Sequence, residues 1–234
     1  MDSSIIKRLR GIDMNTIEAM QARHSVRQFT DRPLDAEAIS ELEREIGSCN
    51  QRSGLNIQLV VNEPKAFDGF MAHYGKFSGV KNYIALIGKK GPELEETCGY
   101  YGERLVLLAQ QLGLNSCWVA MTYSKVKTAF VINSGEKLCS VIALGYGKTQ
   151  GVAHKSKPKS AVMKAEGAVP AWFEKGIDAA LLAPTAMNQQ KFLFALNGKK
   201  VSARAGLGFY SKIDLGIAKY HFEVGAGREN FEWA

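Results

Sequence analysis

Two guanidiniums four positions apart bracket a hydroxyl in Arg23-His24-Ser25-Val26-Arg27-Gln28-Phe29. Arg23 and Arg27 stay charged at any working pH, and each presents a planar fork of donors. Ser25 adds a short donor between them. Such a set suits a phosphate at one end and an electron-rich carbonyl-type oxygen at the other. Taken alone, it reads first as a solvated basic turn. A second stretch lies far along the chain, Leu182-Ala183-Pro184-Thr185-Ala186-Met187-Asn188-Gln189-Gln190. There an apolar helix stops at Pro184, a loop of small and amide residues follows, and the apolar run Phe192 to Leu196 comes next. Small residues let a flat ring approach the backbone. Asn188 and Gln189 offer the donors and acceptors that the polar edge of a heterocycle requires.

Together these stretches resemble the FMN-dependent nitroreductase-like flavoproteins. That family has an Arg-(Arg/His)-Ser-x-(Arg/Lys)-x-Phe motif near its N-terminus and an Ala-Pro-Ser-Ala-x-Asn-x-Gln motif. Thr185 stands for the Ser and keeps the hydroxyl. Gly113 to Val119 and Val141 to Gly147 extend the likeness over most of the chain. The resemblance implies an α+β fold with an antiparallel-rich central sheet surrounded by helices. It implies FMN as cofactor, NAD(P)H as hydride donor, and ping-pong reduction of a nitroaromatic, quinone or related small-molecule acceptor. It assigns Arg23 and Ser25, with His24 beside them, to the phosphate and ribityl end. Arg27 falls on the N1/C2 oxygen side, where a fixed cation favours the negatively charged reduced ring. Lys155 and Lys157 match a Lys-x-Arg-like pair that closes on the phosphate; lysine in the second place keeps the charge and loses the fork. A solvated lysine run describes that pair as well. Pro184, Thr185, Ala186 and Asn188 border the flavin edge, with Gln189 beside them. Trp118, Val119 and Ala120 bring backbone groups near the ring. The family often has Gly-Gly or Glu-Gly there, and Ala120-Met121 departs from both, which implies a narrower pocket. Trp118 reads first as a core residue. The cofactor carries the hydride, so no side chain is required as nucleophile or base.

Composition narrows the alternatives. The chain has 234 residues, 46% of them apolar, with a formal net charge of +7. No apolar run reaches the roughly 18 residues of a membrane span, and the N-terminus lacks the apolar centre of a secretory signal. Four cysteines without a Cys-x-x-Cys pair, and four scattered histidines, point to reduced thiols in a cytoplasmic protein with no metal site. Lysines cluster between Lys148 and Lys164 without interleaved aromatics, so bases would find no stacking platform and nucleic acid is not expected. No Gly-x-Gly-x-x-Gly follows a strand, so nicotinamide would share the open flavin face. The rival readings are a flavin-binding protein without useful turnover and a basic nucleic-acid module whose affinity falls steeply with salt.

The elements that must position these residues follow from periodicity and caps. Residues 1–13 read as a loose arm. Asn15 with Glu18 starts a helix that ends at Ala22. Pro33 and Asp35 open a second helix that Gly47 ends, and 48–56 reads as a polar loop. Strands are expected over 57–61, 83–87 and 138–144, with a short helix and loop over 67–77. Gly99 to Leu112 is the strongest helix, with Tyr101, Leu105, Leu108 and Leu112 on one stripe. A short helix is expected around 124–130. Residues 148–167 read as a lysine-rich linker without periodicity. Pro170 opens a helix that Pro184 stops, Asn197-Gly198 marks a hairpin, and a last helix covers 213–224. The order helix, Asn-Gln loop, strand recurs over 35–61 and 170–196. The expected organisation is therefore a first half over 14–150 and a second over 165–234, intertwined as a single-chain pseudo-dimer that mimics the family homodimer. An ordinary homodimer is the alternative.

Overall fold

The run Asn82–Lys89 (β2) is apolar almost throughout, and its side chains are buried from Asn82 to Gly88. A strand covered on both faces needs such a run. The computed structural model describes residues 14–234, so the arm expected over 1–13 lies outside the described residues. β2 pairs antiparallel with Gln58–Val60 (β1) and with Glu136–Gly145 (β4). Asn115–Val119 (β3) pairs antiparallel with β4, which gives the order β1-β2-β4-β3. Helix Thr16–Ala22 (α1) starts on a capping box in which Asn15 and Glu18 exchange side-chain and backbone bonds. The segment from Val26 to Phe29 then buries those two residues in a core with Phe67, Phe77, Tyr83, Val119 and Val141.

The second helix, Ala36–Ser53 (α2), does not end at Gly47. It runs to Gly54, whose φ of 69° supplies the left-handed cap. Cys49 is buried on this extension, and the Asn50 side chain exchanges bonds with both backbone groups of Ile57. Asn50 and Gln51 therefore lie on a helix, and the Asn-Gln loop expected there is absent. After the helical turn at 65–67 and the short helix Phe70–Tyr74 (α3), β2 leads to Leu94–Gln111 (α4), which begins five residues before the expected start at Gly99. The helix expected around 124–130 does not form. Bends and turns carry Tyr123, Val126 and Ala129 onto the core instead.

A separate sheet has the order β5-β6-β7-β8: Met163–Ala165 (β5), Phe192–Asn197 (β6), Lys200–Ala205 (β7) and Glu232–Trp233 (β8). β6 and β7 form the expected hairpin, with Gly198 at φ 61° in the turn. β5 pairs parallel with β6 inside the stretch read as a linker. Helices Ala171–Ala180 (α5) and Ser211–Ala226 (α6) pack together. Gly176 on α5 leaves room for the Phe222 ring, which stacks on Phe194 at 4.6 Å between centroids. Phe173, Phe231 and Trp233 complete this aromatic core. α4 and α6 touch main chain to main chain: a Cβ on Gly99 would lie 2.1 Å from Ile213 O, and one on Gly216 would lie 2.0 Å from Glu96 O.

The described residues divide into two units, 14–90 with 105–152 and 91–104 with 153–234. With the short helix α3 between β1 and β2 set aside, the series α2-β1-β2-α4-β3 has the same order of element types as α5-β6-β7-α6-β8. β3 pairs with the extra strand β4, whereas β8 pairs directly with β7 in parallel. No described helix is long and apolar enough to cross a membrane.

Candidate functional site

The basic motif leaves α1 at Arg23, whose N–H closes the helix on Ala19 O. From there the chain is extended. Val26 N donates to Ser116 O at the start of β3, Thr30 N donates to Tyr146 O just beyond β4, and Lys148 N donates to Gln28 O. The segment is thus pinned between strand ends, and its alternation turns Val26 and Phe29 inward and Ser25 and Arg27 outward. Arg23 is buried, while the Arg27 guanidinium reaches over the Phe77 ring at 5.9 Å.

Glycines let the next loop close on this segment. At Gly151, with φ 72°, a Cβ would meet His24 Cβ at 2.8 Å and Ser25 O at 3.0 Å. Asn115 orders the same loop by accepting from Gly147 N and donating to Gln150. Beneath it lies the Cys117 thiol. Burial pushes its pKa up, and Arg27, a hydrogen bond with Ser25, and Arg23 oppose that shift in decreasing order. One buried sulfur therefore senses Arg23, Ser25 and Arg27 together. Trp118 and Val119 lie on β3 opposite Ile142 and Val141, with Val119 in the core, and Ala120 follows the strand end.

The second stretch is a hydrogen-bonded loop. Thr185 Oγ1 accepts from Gln190 N at 3.0 Å. Asn188 Nδ2 donates to Lys155 O, and Asn188 Oδ1 accepts from Gln190 Nε2. Gln190 is 2% exposed and also binds Lys155 O and Lys157 N, so it is the internal strut of the loop. The Lys157 ammonium caps the carbonyls of Gln189 and Gln190 at 2.7 and 3.3 Å. Both amide protons of Gln189 are used, one on Asp214 Oδ2 and one on Phe209 O. Asp214 Oδ1 accepts from Ala186 N. Met187, Asn188, Gln190 and Tyr210 adopt φ between 43° and 58°, a region L-residues avoid at roughly 1–3 kcal/mol each. Pro184, Thr185 and Ala186 are half-buried; Met187 and Phe209 are 82% and 74% exposed.

Arg23, His24, Ser25 and Arg27 are thus fixed on one segment with Trp118, Val119 and Ala120 on the adjoining strand. Lys155 and Lys157 are joined to the loop of Pro184, Thr185, Ala186, Asn188 and Gln189. Sequence reasoning missed Gln190 and Asp214. The amide-rich composition pointed at Gln190, but Asp214 looks like any acid in the first turn of a helix.

Residues 15–226 match a family described as "Putative TM nitroreductase". The chain belongs to this nitroreductase family. Membership places it among oxidoreductases, and its fold is the α+β nitroreductase fold. A "putative nitroreductase" from Thermotoga maritima MSB8 matches with a TM-score of 0.64 at 23% identity, over 92% of this chain and 85% of that one. A "putative NADH dehydrogenase/NAD(P)H nitroreductase" from Parabacteroides distasonis matches at 0.51 and 21% identity, over 63% of this chain and 95% of its own. Nitroreductase A from Vibrio parahaemolyticus matches at 0.51 and 16% identity, over 63% of this nitroreductase-family chain and 74% of its own. These identities bear on the fold alone. No curated protein matches the sequence.

Proposed function

We propose that this nitroreductase-family protein binds FMN and uses it to reduce nitroaromatics, quinones or a related small acceptor with NAD(P)H. The observation that carries the reading is the pinned basic segment. Ser25 and Arg27 face outward from a backbone tied to β3 and to the chain beyond β4, so a hydroxyl and a guanidinium project from a fixed main chain. That donor set fits a phosphate monoester and an electron-rich ring oxygen, as an FMN site requires.

When bound, FMN supplies the redox chemistry, accepting hydride from NAD(P)H and delivering it to the second substrate. The chain binds and orients. In this proposal Arg23, His24, Ser25 and Lys155 serve the phosphate and ribityl end, and Arg27 supplies fixed positive charge at the ring's oxygen edge. Trp118, Val119 and Ala120 border the ring with backbone. Pro184, Thr185, Ala186 and Asn188 line its rim. Lys157 and Gln189 act by holding that rim loop in shape. No side chain takes a proton or forms a bond in the hydride steps.

The proposal extends to stoichiometry, with one FMN per chain in a single-chain pseudo-dimer. Two observations support it. Apart from the short helix α3, the helix-strand-strand-helix-strand order occurs twice, and 63% of this chain accounts for 95% of the Parabacteroides protein. The test of function is reconstitution with FMN, an absorption spectrum, and NADH or NADPH oxidation with a quinone and a nitro compound. A flavin spectrum with acceptor-dependent oxidation supports the proposal. A protein that stays colourless overturns it, and a yellow one that oxidises neither donor reduces it to flavin binding without turnover.

A further inference from the structure

Asp214 is 3% exposed in the first turn of α6, yet both carboxylate oxygens are turned toward the 185–190 loop rather than toward its own helix. Oδ1 accepts from Ala186 N at 3.0 Å, and Oδ2 accepts from Gln189 Nε2 at 2.7 Å. The second proton of the same amide goes to Phe209 O at 2.7 Å. One side chain therefore fastens both ends of a turn whose non-glycine residues hold positive φ, and ties it to the loop before α6. Backbone of that kind relaxes unless its surroundings hold it.

We propose that Asp214 is a positioning residue for the candidate cofactor loop, and that the loop keeps its shape only while this carboxylate is ionised. Both of its contacts are N–H donors. A protonated carboxyl keeps one good acceptor, and its hydroxyl would meet a donor at the other oxygen. One of the two fastenings is then lost. An Asp214→Asn side chain has the same defect at every pH. Its amide would face the Gln189 amide, and turning Gln189 over would set oxygen against Phe209 O.

The neighbouring charges are engaged elsewhere. Lys212 donates to Pro92 O, the Lys157 ammonium sits on the Gln189 and Gln190 carbonyls, and Glu96 of α4 pairs with Lys219. The carboxylate thus faces burial and two neutral donors. Burial dominates and raises its pKa from 3.8 to about 6, with the Gln189 and Ala186 bonds opposing. The switch therefore falls within a range a cell can reach.

The relevance of this device to catalysis rests on the function proposed above, so its test has a readout that needs no cofactor. Amide hydrogen exchange of peptides covering 184–190 is measured on the full chain at pH 7.5 and pH 5, corrected for intrinsic rates, in wild type and Asp214→Asn. FMN affinity is measured in parallel by flavin fluorescence. In wild type, loop protection falls about tenfold at pH 5 relative to α1, and FMN affinity falls with it. In Asp214→Asn the loop is already unprotected at pH 7.5 and no longer responds to pH. If the variant does not fold, the wild-type pair of pH values carries the test. Loop protection that is equal at both pH values overturns the inference. A loop that responds while FMN binds equally at both pH values overturns its link to the cofactor. A loop that responds in a protein that binds no FMN supports the positioning role and sinks the function proposed above.

Discussion

His221 Nε2 lies 2.9 Å from Glu103 Oε1, and both side chains are wholly buried. His221 Nδ1 lies 3.0 Å from Ala179 O, which can only accept, so Nδ1 carries a proton. The pair joins α4, α5 and α6. His221→Ala removes one partner of a buried carboxyl group and opens space between the helices, and denaturant unfolding is expected to show a loss of about 3–5 kcal/mol. Glu103→Gln should cost much less, because its amide donates to the neutral imidazole. Equal losses for the two variants would mean that the pair contributes packing alone.

Arg27 offers a cleaner test of ligand binding than of stability, because it is exposed and its ring contact with Phe77 is long. Arg27→Ala is expected to weaken FMN binding by about 10- to 100-fold, the range for a hydrogen bond to a charged group. Arg27→Lys should fall between, keeping charge without the planar fork. Flavin fluorescence titration measures both. An unchanged affinity in Arg27→Ala would remove the guanidinium from the site.

Stoichiometry separates the single-chain arrangement from its alternatives. Titration to saturation is expected to give one FMN per chain. Two equivalents would mean that both halves keep a complete site, and half an equivalent would mean that two chains build one.

Global stability and loop order should respond to pH in opposite directions, because unfolding removes the burial that raises the Asp214 pKa, whereas loop release removes the two donor bonds that lower it. The Asp214 pKa is raised in the folded state, from 3.8 to about 6, so the folded chain binds this proton more tightly than the unfolded chain does. That contribution is fully present below pH 3.8 and is lost as pH rises toward 6. It amounts to about 3 kcal/mol at most. Urea unfolding between pH 4 and 7 is expected to show this decline in wild type, and Asp214→Asn should flatten it. A decline of the same slope in the variant would assign it to other groups.

Much of this was legible from local chemistry. The Asn15 capping box, the Asn197-Gly198 hairpin and the apolar runs of β2 and β4 each specify their own backbone, and the structure has them within a few residues. The family motif was legible because Ser25 and Arg27 face outward, where packing does not dictate residue type, while Val26 and Phe29 alternate with them into the core. The misses share a different cause. Gly47 looked like a helix end, but tertiary burial of Cys49 and the Asn50 bonds to Ile57 carry α2 seven residues beyond its neighbour Ile46. The periodicity around 124–130 came from residues that reach the core from turns. β5 exists only because β6 offers it an edge. Asp214 was invisible because its importance lies in what it touches 25 and 28 residues away, and neither spacing nor composition records that.

The contact of Gly99 with Ile213 and of Gly216 with Glu96 has a consequence for descent. The obstacle on each side is main chain, so no change of rotamer, and no trimming of the opposite residue, makes room for a methyl group. Neither site can drift alone, and neither can be rescued by the other. A distant relative that crosses these two helices at the same separation is expected to carry both glycines. The pair is therefore a two-position signature for recognising such relatives after the rest of the sequence has diverged.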